Sequence, residues 1–277
     1  MLTGLEELTI ENQGVGGQVD KLFVNMPNLR ILNMPGNQLT GMLSENISLE
    51  NPRLEVILLG DNTMSGSIPD TIIGLQDLRA LDLSANKVSG VINPDIGNLP
   101  KLTSLSLHEN DLQGEIPLSL YNERIMTLRL GDNDLEGKIR DEVNNMVSLK
   151  NIYLGDTKMG GIVPVGLFGL PKIEEIHLQN AAFSGELWGE FAKLSPTLME
   201  LFLQNNNFSG EIPDTLLQSQ RLTKLDLTGN PEITGSIKSG SQLCKRRNYN
   251  TVGVSVLNVD CTVVCECCGF RDECQNA

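Results

Sequence analysis

A single frame recurs along most of this 277-residue chain and constrains its fold more than any other feature. Written L-x-x-L-x-L-x-x-N-x-L-x-G-x-I, it starts at Leu5, Leu29, Leu54, Leu78, Leu102, Ile125, Leu149, Ile173, Leu198 and Leu222, in steps of 23 to 25 residues. A unit this short cannot bury an apolar face alone, so each copy must stack on its neighbours. Residues 1–237 therefore read as an array of ten repeats. Residues 238–277 leave the frame and read as a cap over the last apolar rung.

Each column of the frame has a physical duty. The L-x-L dyads, such as Leu81 with Leu83 and Leu201 with Leu203, alternate with period two and predict short strands with one face buried. Successive copies lay those strands side by side as a parallel sheet. The Asn column holds Asn37, Asn62, Asn86, Asn110, Asn133, Asn206 and Asn230, where an inward amide satisfies backbone groups of the turn leaving the strand. Gln13, Thr157 and Ala181 interrupt that column. The Gly column is complete, from Gly17 through Gly41, Gly66, Gly90, Gly114, Gly137, Gly161, Gly185 and Gly210 to Gly235. It predicts a backbone conformation or close approach that a Cβ would obstruct.

After the Asn turn the chain reads Gly66-Ser67-Ile68-Pro69, Gly114-Glu115-Ile116-Pro117 and Gly210-Glu211-Ile212-Pro213, with Gly161-Ile162-Val163-Pro164 close to the same pattern. In these residues the repeat resembles the plant-type leucine-rich repeat. The resemblance implies an α/β repeat solenoid: a right-handed superhelix with a concave parallel β-sheet, a short second strand at G-x-I, and a mostly non-helical convex side of turns and 3₁₀ segments. It is specific for the fold and not for a ligand. The family includes receptor-kinase ectodomains, receptor-like proteins, and polygalacturonase-inhibitor-like proteins that block secreted polysaccharide hydrolases.

All six cysteines fall in the tail: Cys244, Cys261, Cys265, Cys267, Cys268 and Cys274. An even number crowded at one end reads as a local disulfide framework, hence an oxidising compartment. Cys265-x-x-Cys268 with Cys261 and Cys274 is the competing zinc reading. Disulfides are the expectation, and the spacing alone selects no pairing. Val252 to Val259 alternates, with Val252, Val254 and Val256 in phase, like a final strand. The Cys spacing departs from the paired-Cys plant cap and is similar to tails of leucine-rich-repeat proteins from algae and diatoms. Met1 to Glu7 lacks the basic and apolar regions of a signal peptide. No apolar run is long enough to span a bilayer. An exported protein without a leader is expected to be N-terminally incomplete, with repeat 1 presenting an uncovered edge.

Charge and missing motifs narrow the function. Lys plus Arg number 21 against 35 Asp plus Glu, a formal charge of −14. That balance excludes nucleic acid as a partner, because phosphate binding needs clustered cations. No G-x-S-x-G, H-E-x-x-H or phosphate-binding Gly loop occurs. The two histidines, His108 and His177, lie three repeats apart, about 15 Å at the spacing of parallel strands, too far to share a metal. The chain is therefore expected to be no enzyme and to carry no cofactor or metal.

Recognition is what remains. The second, third, fifth, seventh and eighth frame positions should line the concave face. Down the fifth column, Tyr153, His177 and Phe202 fall on three consecutive strands. Met126 and Met199 flank them, Asp132, Asp156, Glu175 and Glu200 border them, and Arg129 and Lys150 stand at the edge to orient a carboxylate or sugar hydroxyls. Exposed aromatics on a rigid sheet suit a protein, peptide or glycan partner, best one presenting a cation beside an apolar group. Two sequons, Asn46-Ile47-Ser48 and Asn207-Phe208-Ser209, are candidate glycosylation sites, with Asn207 expected to face solvent. These features predict an extracellular recognition module of a receptor-like or secreted protein. The alternatives are an inhibitor of a secreted carbohydrate-active enzyme and a cell-surface adhesion module.

Overall fold

The structure is a computed structural model and describes residues 3–187, 194–248, 256–260 and 262–267. The chain forms two compact units, Met1–Gly137 and Lys138–Ala277. Both follow one rule: each copy of the frame contributes a three-residue strand from its third to fifth positions. In the first unit these are β1 (Glu7–Thr9), β2 (Ile31–Asn33), β3 (Val56–Leu58), β4 (Ala80–Asp82), β5 (Ser104–Ser106) and β6 (Thr127–Arg129). In the second they are β7 (Asn151–Tyr153), β8 (Glu175–His177), β9 (Glu200–Phe202) and β10 (Lys224–Asp226), to which the tail adds β11 (Val256–Asn258).

Within each unit the strands pair in parallel and in register. The fourth frame position aligns as Leu32, Ile57, Leu81, Leu105 and Leu128 in the first unit. It aligns as Ile152, Ile176, Leu201, Leu225 and Leu257 in the second. All of these side chains are buried. A one-residue slip would turn every one of them to solvent, so burial pins the register. Positions three and five of each strand take the opposite face. At the start of the first unit, β1 pairs with β2 and with no other strand among the described residues.

A second row of short parallel strands follows the Asn turn, as in Ser65–Ser67 and Lys87–Val91 of the first unit and Ala182–Glu186 and Asn207–Glu211 of the second. The return path consists of 3₁₀ turns, such as Asp70–Gly74, Leu118–Leu120 and Val165–Gly169, and one-turn α-helices, such as Ile47–Glu50 and Asp214–Leu217. Pro69, Pro117, Pro164 and Pro213 precede four of these turns with φ between −57° and −76°. Proline fits there because its missing N–H is not needed at a helix entry.

The Asn column ties coil to coil. Asn86 Nδ2 donates to the carbonyls of Leu83 (3.1 Å) and Ser84 (3.0 Å) in its own turn and of Leu59 (3.1 Å) in the preceding coil. Its Oδ1 accepts the N–H of Met64 at 2.9 Å, also in the preceding coil. Asn206 and Asn230 repeat this arrangement in the second unit. Where the column is interrupted, the tie is poorer. Thr157 Oγ1 donates to Leu154 O at 2.8 Å, and the Met159 N–H, lacking an amide at Ala181, reaches that same Oγ1 at 3.4 Å.

All ten members of the Gly column have positive φ, from 70° at Gly41 to 142° at Gly185. At Gly137 a Cβ would also come within 2.9 Å of the Glu115 side chain. A second left-handed column was not foreseen from the sequence. The eighth frame position holds Asn12, Gly36, Asp61, Ala85, Glu109, Asp132, Asp156, Asn180, Asn205 and Gly229, all with φ between 49° and 70°. Most of these are Gly, Asn or Asp, the residues that reach this region at least cost. That composition was the available signal.

The tail continues the sheet of the second unit. β11 pairs with β10, and Asp260 Oδ2 accepts the Asn230 N–H at 3.0 Å. The buried residue of β11 is Leu257, and Val252 and Val254 of the expected final strand lie outside the described residues. Register with Leu225 sets the inward residue at 257. Cys244, fully buried, is bonded to Cys267, and Cys265 is also disulfide-bonded. Cys261, Cys268 and Cys274 lie outside the described residues.

Candidate functional site

Parallel register in the second unit places Tyr153 opposite His177, His177 opposite Phe202, and Phe202 opposite Asp226. The Tyr153 and His177 rings stack with centroids 4.1 Å apart and planes within 6°. Phe202 meets His177 edge-on, with centroids 4.6 Å apart and planes at 85°. The three rings form one contiguous strip. They are half-buried rather than exposed, because stacked neighbours cover each other's faces.

Two residues earlier on each strand, the third frame position supplies Asn151, Glu175, Glu200 and Lys224. The Tyr153 hydroxyl donates to Glu175 Oε2. His177 Nε2 lies 3.3 Å from Glu200 Oε2, and Lys224 Nζ lies 2.7 Å from Glu200 Oε1. The two bordering carboxylates thus tie the strip to the strands beside it. Burial pushes the His177 imidazole below its ordinary pKa, against the opposing pull of Glu200 and Glu175. The ring is therefore neutral at neutral pH.

Beyond the rings lies a row of amides that sequence reading missed. Gln179 Nε2 donates to Asp156 Oδ2 at 3.1 Å, Asn180 Nδ2 to Asp156 Oδ1 at 2.7 Å, and Asn205 Nδ2 to Asn180 Oδ1 at 2.6 Å. Asp156 is consequently an anchor of this row. The side-chain oxygens of Gln179 and Gln204 are buried without a partner. The seventh and eighth columns carried the signal, since Gln and Asn succeed one another there in repeats 8 and 9.

The remaining candidates are more dispersed. Lys150 pairs with Glu174 at 3.6 Å, in the second frame column with Met199, which is half-buried. Met126, Arg129 and Asp132 belong to β6 and its flanking residues in the first unit, with Met126 exposed and Asp132 in the left-handed turn. Asn46 and Asn207 are both exposed. In the first unit the second column forms a charge ladder. Arg30 reaches Glu55 at 2.7 Å and Glu6 at 3.8 Å, and Arg79 reaches Glu55 at 3.3 Å. The hydrogen bond from Arg30 lowers the Glu55 pKa, and the charges of Arg30 and Arg79 act the same way. Among the described residues, no group of three or more His, Cys, Asp and Glu side chains is placed to hold a metal, and no helix is long and apolar enough to cross a membrane.

Leucine-rich-repeat family models match residues 52–112 and 197–218. The chain is a plant-type leucine-rich-repeat protein. It is related to receptor-like proteins and to the ectodomains of leucine-rich-repeat receptors. Receptor-like protein 32 of Arabidopsis thaliana is 33% identical over 188 residues, covering 66% of this chain and 22% of its own length. The chain spans about a fifth of the length of the receptor-like proteins it matches. Among solved structures, the plant peptide hormone receptor RGFR1, in complex with RGF2, superposes with a TM-score of 0.74 at 28% identity, over 86% of this chain and 42% of that one. A plant ice-binding protein superposes with a TM-score of 0.78 at 25% identity, over 93% of this chain and 83% of that one. The matched receptor-like proteins are from Arabidopsis, and none supports the algal or diatom lineage suggested by the cysteine spacing.

Proposed function

We propose that the concave face of repeats 7–9 is the ligand-recognition surface of an extracellular, non-enzymatic receptor-like protein. Its ligand is a peptide that presents a cationic side chain beside an apolar one. The observation that carries this reading is the contiguous Tyr153–His177–Phe202 strip with Glu175 and Glu200 along one side. Rings held in place by neighbours present apolar surface at little entropic cost, and the carboxylates select a cation. The relationship to receptor ectodomains, one of them a peptide hormone receptor, supports the choice of a peptide. The buried Cys244–Cys267 disulfide supports an extracellular location.

The test is selection of a random peptide library on the protein, followed by affinity measurement on the selected peptides. Tyr153→Ala or Phe202→Ala should weaken binding by more than about 2 kcal/mol if either ring is an anchor. Neutralising Glu175 or Glu200 should chiefly slow association and flatten its salt dependence. Peptides that ignore these variants but are lost on Leu118→Asp or Val165→Asp, exposed positions on the return path, would place the site elsewhere. The extent of the match to the ice-binding protein favours a second reading, adsorption to ice. Thermal hysteresis by the purified protein, unchanged in Tyr153→Ala, would decide for it.

A further inference from the structure

Glu200 is shared between the His177 imidazole and the Lys224 ammonium. One oxygen faces His177 at 3.3 Å and the other faces Lys224 at 2.7 Å. The imidazole lies flat on Tyr153, whose hydroxyl is held by Glu175. Side chains from β7, β8, β9 and β10 thus form one connected series, Lys224–Glu200–His177–Tyr153–Glu175. Three further charged groups on or beside these strands are engaged elsewhere. Asp156 is held by Gln179 and Asn180, Asp226 by Thr228 and Asn258, and Lys150 by Glu174. With a neutral imidazole, Glu175, Glu200 and Lys224 leave the strip one net negative charge. Protonating His177 removes it.

We propose that His177 is an acid-release switch within the ligand surface: its protonation cancels the net charge of the strip and expels the cationic group of the bound peptide. This rests on reading the strip as a cation-binding peptide site. Two effects act together. A new positive charge stands at the centre of the strip, where a ligand cation would approach, and the same charge draws on Glu200, the carboxylate that cation needs. Burial holds the imidazole neutral into the acidic range, so release begins below the pH at which an exposed histidine titrates. Linkage requires the converse: a bound cation lowers the His177 pKa further.

The probe is an acetylated, amidated Leu-Arg-Leu tripeptide, titrated by NMR between about pH 7.5 and pH 4.5 with the two histidines resolved. Wild type should lose at least about five-fold more affinity across this range than His177→Phe or His177→Gln. The His177 midpoint should fall when the probe is bound and rise in Lys224→Met. An equal loss of affinity in wild type and both variants, or a midpoint indifferent to the probe, overturns the switch while leaving the strip as a binding site. Probe binding unaffected by Tyr153→Ala, or no saturable binding at the higher pH, removes the strip reading and the switch with it.

Discussion

Replacing Asn206 by alanine measures what the Asn column contributes. The Asn206 amide donates to Leu178 O at 2.7 Å, Leu203 O at 3.1 Å and Gln204 O at 3.3 Å, and accepts the Phe183 N–H at 2.9 Å. Its residue is 5% exposed, so water cannot take its place. Leu203 O also accepts from Asn230 at 2.9 Å and would keep a partner. The substitution therefore strands chiefly two groups, the Phe183 N–H and Leu178 O. Each stranded buried group costs about 1–3 kcal/mol, so a loss of about 2–6 kcal/mol is expected. Urea unfolding followed by circular dichroism measures it, with an unchanged m-value required for the comparison. The exposed neighbour Asn207→Ala should shift stability by less than about 0.5 kcal/mol. A loss below about 1 kcal/mol for Asn206→Ala would refute the view that the column ties the coils together. The reverse substitution sharpens the test. Ala181→Asn would offer the Met159 N–H an amide oxygen in place of its 3.4 Å contact with Thr157, and should add about 1 kcal/mol.

Ala85 sits at φ 49°, and Ala85→Gly should stabilise the protein by about 0.5–1 kcal/mol, whereas destabilisation in urea would show that its Cβ packing matters more than its backbone. Since burial lowers the folded pKa of His177, its contribution to stability is present above the unfolded value near about 6.5 and is lost as pH falls through the folded one. Wild type should accordingly lose stability relative to His177→Phe on acidification, and parallel urea midpoints at every pH would contradict this. Removing the disulfide with Cys244→Ser and Cys267→Ser should cost about 2–4 kcal/mol, and hydrogen exchange should rise first in β11, not in β7 or β8. Protein from plant secretory cells should carry N-glycans at Asn46 and Asn207, detected as mass lost on enzymatic deglycosylation and absent site by site in Asn46→Gln and Asn207→Gln.

The fold was legible because each buried column repeats, and repetition averages out local ambiguity. The strands and the positive-φ glycines follow from columns in which one residue type prevails for one physical reason, while the second strand row and the 3₁₀ return are what the resemblance to the plant-type repeat implies. The eighth column escaped notice because four residue types besides Gly occupy it, including Ala85 and Glu109, which gain nothing from the left-handed region. β11 lies outside the frame, where a strand has only its neighbour to set register, and Leu225 pairs with Leu257. The site was legible to a lesser degree. The fifth column revealed which rings would meet, but not that they would cover one another. Nor does a sequence say that Glu175 would hold the Tyr153 hydroxyl, or that Glu200 would stand between His177 and Lys224. Those contacts depend on side-chain directions across four strands, which spacing along one strand does not contain.

The contrast between the two units explains why recognition is assigned to the second. Columns four, six, nine, eleven and thirteen are committed to the core and its turns in both. The free columns are used differently. In the first unit Glu6, Arg30, Glu55 and Arg79 alternate in sign and satisfy one another on the surface, a ladder that salt screens and that offers a partner little unmet charge or apolar area. In the second unit the third, fifth and seventh columns carry two carboxylates, three rings and two glutamines whose buried oxygens lack donors. A surface that is already neutralised gains little from a partner, whereas desolvated rings beside an unbalanced carboxylate pair retain binding energy to release. The residues that stabilise the scaffold are thus separable from those that select a ligand. Tyr153→Ala and Phe202→Ala can therefore report on binding without dismantling the Asn and Gly columns that hold the coils in register.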